Sequence, residues 1–87
     1  MNDEPLEDPS PALREVVLQL KRDGRAAAAA EFEAACFATY TSSAEWLGRV
    51  GLAIRQLRAA HDQALPREVE IPLRRALKIV REVWPSA

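Results

Sequence analysis

Few side chains here could do chemistry, and two stand out because each occurs once: Cys36 and His61. Brought together, a thiol and an imidazole would form a nucleophile and its base. Both lie on apolar stripes at core spacing, however, and free cysteine is among the most buried residue types. The expectation is a Cys36 that packs as a small hydrophobe and a structural or half-exposed His61. A single His and a single Cys do not suffice for a metal centre of the usual His/Cys composition within one chain. The acid pairs Glu31/Glu33 and Glu68/Glu70 are two residues apart, so each pair points to different sides of a helix. No HExxH, GxGxxG, P-loop or GxSxG pattern occurs. These residues predict a non-enzymatic protein with no catalytic, cofactor-binding or metal residues.

The densest cluster of functional groups is "CFATYTSSAEW", Cys36 to Trp46. Two readings compete. In one, Tyr40, Ser43 and Trp46 line a small polar pocket with their tips facing across a corner. In the other, the stretch is a helix end, a cap and a new helix. Ser42-Ser43-Ala44-Glu45 fits a capping box, with Ser42 bonding the Glu45 N–H and Glu45 reaching back. The second reading accounts for more of the residues.

Cations form the next candidate. Arg74, Lys78 and Arg81 recur at helical spacing with Arg75 beside them, and Arg49, Arg55 and Arg58 lie upstream. Such a stripe could contact phosphates. A solvated helix face explains it more simply, because no aromatic residues interleave with these cations to stack bases. Apolar residues off the main stripes are a third candidate. Phe37 and Leu52, with Leu18, fall outside the core pattern of their helices, which marks either burial on more than one side or an interface. Together with Trp46 and Trp84, Phe37 and Leu52 make the expected partner surface.

Four elements must position these residues. Ser10 reads as an N-cap and Pro11 as the first helical residue, followed by a stripe of Leu13, Val16, Val17 and Leu20 and a stop at Gly24. Five consecutive alanines open a second helix running to about Tyr40, with Phe32, Ala35, Cys36 and Tyr40 inward. A third runs from Ser43 to about Ala64 on Leu47, Val50, Ile54 and Leu57. Its Gly48 and Gly51 predict close contact with the alanine face of the second helix. The last helix carries Leu73, Leu77, Val80 and Trp84. Ile71, which precedes proline, is biased away from the α region. Either a short turn at 67–70 leads into a helix that starts at Pro72, or one helix is kinked there, and the first is favoured. The expected helices therefore span about 11–23, 25–40, 43–64 and 72–84.

"LKRDGRAAAAAEFEAAC", Leu20 to Cys36, resembles the turn and second helix of a tetratricopeptide repeat. The interval from Gly24 to Phe32 is one residue short of that pattern and no second copy follows. What the likeness implies is a helical hairpin, without membership of the family.

The 87 residues are 48% hydrophobic and 29% charged, as in an ordinary globular domain. The net charge of −1 hides an asymmetry: residues 1–43 carry four Lys/Arg against eight Asp/Glu, and residues 44–87 eight against five. No apolar run approaches the ~20 residues of a membrane span. One cysteine excludes an internal disulfide. The sequence thus predicts an all-α, four-helix up-down bundle over residues 10–87, behind a flexible acidic tail at 1–9. Its expected setting is cytoplasmic and, from the Ala/Arg-rich composition, bacterial. The expected function is protein–protein interaction, with another protein or with a second copy as a homodimer. The rival is a nucleic-acid-binding regulator using Arg74, Arg75, Lys78 and Arg81, and no membrane partner is expected.

Overall fold

A computed structural model describes residues 8–60 and 65–85, and among these it shows four helices and no strand. They are α1 (Ser10–Arg22), α2 (Ala26–Cys36), α3 (Ser43–Ala60) and α4 (Arg67–Val83). The helices form a closed ring. Each of α1 and α3 packs on both α2 and α4, and the diagonal pairs do not meet. Arg58 near the end of α3 pairs with Glu70 near the start of α4, while Trp84 after α4 reaches back to Ala44 at the start of α3. These two neighbours therefore run antiparallel, and the molecule is the all-α four-helix bundle that its apolar periodicity predicts.

All four helices feed one core. Leu13, Val16 and Leu20 meet Phe32, Cys36, Val50, Ile54, Val69, Leu73 and Val80 there, and among the described residues no polar or charged side chain is buried with them. Their stripes repeat every three or four residues, so each helix buries one face and leaves the other wet.

The start of α1 lies one residue earlier than the Ser10 cap predicted. Pro9 is the N-cap, and its carbonyl accepts the Leu13 N–H at 2.9 Å. Asp8 Oδ1 accepts the Ser10 N–H at 2.9 Å, so a carboxylate satisfies a donor that the helix cannot. Asp8 and Pro9, assigned by sequence to the tail, thus belong to the helix start, while residues 1–7 lie outside the described residues. The end of α1 is as expected. Gly24 takes φ +76, with Gly24 N–H bonding Lys21 O and Arg25 N–H bonding Leu20 O, the paired bonds of a Schellman stop.

The second helix is shorter than expected. It ends at Cys36, and Phe37 caps it through a 2.9 Å bond from its N–H to Glu33 O. Thr39, Thr41 and Ser42 account for the difference, because β-branched and hydroxyl side chains favour caps and turns over helix interiors. Tyr40 therefore sits in the connection and not on the buried face of a helix. The residues between Ala60 and Leu65, including His61, lie outside the described residues, and so does the pairing of His61 with Cys36.

The last helix corrects the reading of Pro72. A single helix begins at Arg67, capped at Pro66, and Pro72 lies inside it with its ring buried. Proline has no N–H, so the Glu68 carbonyl loses its helical donor. Val69, fully buried one turn before Leu73, supplies the reason: anchoring both in the core outweighs the local bias at Ile71.

Gly48 is also corrected. It faces α4, where a Cβ would stand 3.4 Å from Trp84 Nε1. The α2–α3 seam gains no closeness from it. A cleft of about 80 Å³ remains there, lined by Ala28, Phe32, Ala35, Ala53, Leu57 and Ala60 among others, because methyl groups are too short to fill it.

Candidate docking groove between α3 and α4

The Cys36–Trp46 corner was the strongest sequence candidate for a pocket. Its aromatic tips turn toward the backbone. Tyr40 OH donates to Ala35 O at 2.6 Å, and Trp46 Nε1 donates to Cys36 O at 2.6 Å. These are two of the last carbonyls of α2, which a helix end leaves without partners. Tyr40 and Trp46 thus act as side-chain caps for a helix that lacks a glycine stop. Ser43 opens α3 and is exposed. The capping box forms by half: Glu45 N–H bonds Ser42 Oγ at 3.1 Å, but the Glu45 carboxylate accepts from the Thr41 hydroxyl instead of reaching Ser42 N–H. What remains is an open hollow of about 460 Å³ in which the polar tips of Tyr40 and Trp46 are already paired.

Cys36 lies at its floor, fully buried, and burial pushes its thiol up to about 12. At neutral pH it carries no thiolate, the form that a nucleophile requires. Among the described residues no group of three or more His, Cys, Asp or Glu is placed to hold a metal ion.

Of the expected partner surface, two residues are half-buried and two are exposed. Phe37 packs against the core, with the Arg14 guanidinium 5.0 Å above its ring. Trp46 packs against the core as well. Leu52 and Trp84 stay outside, 40% and 43% exposed. Trp84 is nonetheless held firmly: its indole covers Gly48, and its Nε1 donates to Ala44 O at 2.8 Å. A large apolar side chain kept at the surface by a specific hydrogen bond is fixed in place for contact. Leu52 stands one helical turn beyond Gly48 on the same side of α3.

The basic residues are divided as well. Arg74, Lys78 and Arg81 line an open groove of about 520 Å³ between α3 and α4, together with Arg58, Glu70 and Leu77. Arg75, one residue on from Arg74, is turned about 100° round the helix. It joins Pro11, Glu15 and Gln19 on the α1 side instead. Arg58 belongs to the groove although sequence reading gave it no more than background charge. The register of the antiparallel hairpin would have placed it there, opposite Glu70. That carboxylate accepts from Arg58 at 3.3 Å and from Arg74 Nε at 3.2 Å.

The Arg74–Glu70 pair adds little stability. The Arg74 side chain is 77% exposed, and exposed ion pairs contribute about 0–1 kcal/mol. Groove and apolar patch are continuous along α4, since Glu70, Arg74, Leu77, Arg81 and Trp84 follow one another at spacings of three and four. One face thus carries four cations, one carboxylate and, at one end, a pinned tryptophan near an exposed leucine.

No family model matches this chain, and searches of curated proteins and of solved structures give no match either.

Proposed function

We propose that the protein is a non-enzymatic helical docking module that binds a partner protein on the face shared by α3 and α4. The observation that carries this is Trp84. It is 43% exposed, yet its indole is fixed by a 2.8 Å bond to Ala44 O and by contact with Gly48. A pre-positioned aromatic loses little freedom on binding, which is why such residues dominate interface energetics. Exposed Leu52, one helical turn beyond Gly48, adds apolar area on the same side of α3. Buried Cys36 and the paired tips of Tyr40 and Trp46 weigh against a reaction at the corner. The same reading keeps the protein in a bacterial cytoplasm, on its lone cysteine and Ala/Arg-rich composition.

A titration with a short, neutral amphipathic peptide, followed by amide-resolved NMR, tests the docking surface. The expected shifts cluster on Gly48, Leu52, Leu77 and the Trp84 indole and are lost in Leu52→Ser. Absence of any response on this face overturns the proposal.

A further inference from the structure

We infer that the groove between α3 and α4 selects an acidic, amphipathic peptide segment of its partner. This rests on the docking reading above and adds the chemistry of the occupant. Carboxylates of the segment would lie along Arg58, Arg74, Lys78 and Arg81, and its apolar side chains would rest on Trp84 and Leu52.

Charge complementarity is the first reason. Four cations and one carboxylate line a groove in a chain whose net charge is −1, so this face departs strongly from the molecule's average. Like charges gathered on one face steer and select an opposite partner. Leu77, 6% exposed, gives the groove an apolar floor between its cationic walls. Exposed apolar area then follows at the Trp84 end, which suits a segment with an acidic stretch and an apolar end.

Nucleic acid fits less well. Glu70 stands inside the groove and already accepts from Arg58 and Arg74, so a phosphate backbone would meet a fixed negative charge there. A carboxylate ligand meets it too, but a peptide can set a neutral residue opposite, whereas phosphates recur at every nucleotide. The Trp84 ring has Gly48 beneath it, and its N–H is taken by Ala44 O, so it cannot enter a stack of bases from both sides.

Fluorescence anisotropy on the full chain tests this with three labelled synthetic peptides of one apolar pattern and acidic, neutral or basic polar faces, alongside a short DNA duplex. The expected result is that the acidic peptide binds about tenfold or more tighter than the neutral one at low salt, with the gap closing as salt rises. The double variant Arg74→Glu/Lys78→Glu should erase that preference while its helical circular dichroism and melting temperature stay close to those of the parent chain. Those two readouts separate a lost site from a misfolded chain. Equal affinity for all three peptides overturns the acidic selection and leaves the docking reading standing. No binding by any peptide overturns both, and a duplex bound more tightly than the acidic peptide replaces them with nucleic-acid recognition.

Discussion

Two titratable side chains show how local contacts set their chemistry. The Ser10 N–H and hydroxyl hold the Asp8 carboxyl below its ordinary value of 3.8, with Arg14 assisting. A carboxylate whose folded pKa is depressed stabilises the native state above its unfolded pKa, and that stability is lost as pH falls through the folded value. Asp8→Asn should therefore lower the urea midpoint slightly at neutral pH and leave a shallower acid limb, the two proteins converging as pH falls below 4. Cys36 behaves in the opposite sense. Its folded pKa is raised from 9.0 to about 12, so the unfolded chain loses its proton first and stability declines as pH rises between those values. Its thiol should resist iodoacetamide at pH 8 and react at the rate of global unfolding. Fast labelling of the native protein would show that Cys36 is accessible.

At the scale of the helix, the corner after α2 is held by borrowed groups. Trp46→Phe keeps the ring and removes one donor from Cys36 O, which should cost about 1 kcal/mol in urea denaturation and loosen amide protection over the last turn of α2. Gly48 offers a contrasting case. An alanine methyl there would meet Trp84 at 3.4 Å, near ordinary contact, while helix propensity improves by ~1 kcal/mol. Gly48→Ala should therefore raise stability, by up to about 1 kcal/mol if the indole yields a little; a lowered melting point would mean that it cannot. These elements also mark where sequence sufficed. The stripe Leu13–Val16–Val17–Leu20 and the Gly24 stop are local, and both stand as their spacing predicts. Pro72 and Tyr40 misled because tertiary packing and a side-chain cap override local bias: burial of Val69 and Leu73 in the core holds Pro72 in a helix, and Ala35 O draws Tyr40 out of one. The groove between α3 and α4 was legible as a stripe of cations, but the separation of Arg75 from Arg74 and the entry of Arg58 are properties of helix pairing.

For the whole molecule, closure of the ring matters more than any one seam. Each helix has two neighbours, so a defect in one core stripe reaches the entire circuit. Leu73, fully buried on α4, faces that centre. Leu73→Ala should cost about 2–5 kcal/mol. Domains of this size have roughly 4–13 kcal/mol in total, so the variant should melt far earlier and in one transition by both circular dichroism and fluorescence. Separate transitions by the two probes would show that the helices unfold in pieces. By contrast, Leu52→Ser removes a side chain that is 40% exposed and should change the melting temperature little, which keeps it a clean probe of docking.

Both indoles donate to backbone carbonyls, but they bridge very different lengths of chain. Trp46 closes a loop of ten residues onto Cys36, whereas Trp84 closes one of forty onto Ala44. Short loops close sooner, since the entropic cost of bringing two points together grows with the separation between them. Single-tryptophan versions of this chain are therefore two clocks in one molecule. In stopped-flow refolding, the emission of Trp46 alone should reach its native value no later than that of Trp84 alone, and any lag between them times the docking of the last helix onto a hairpin already made.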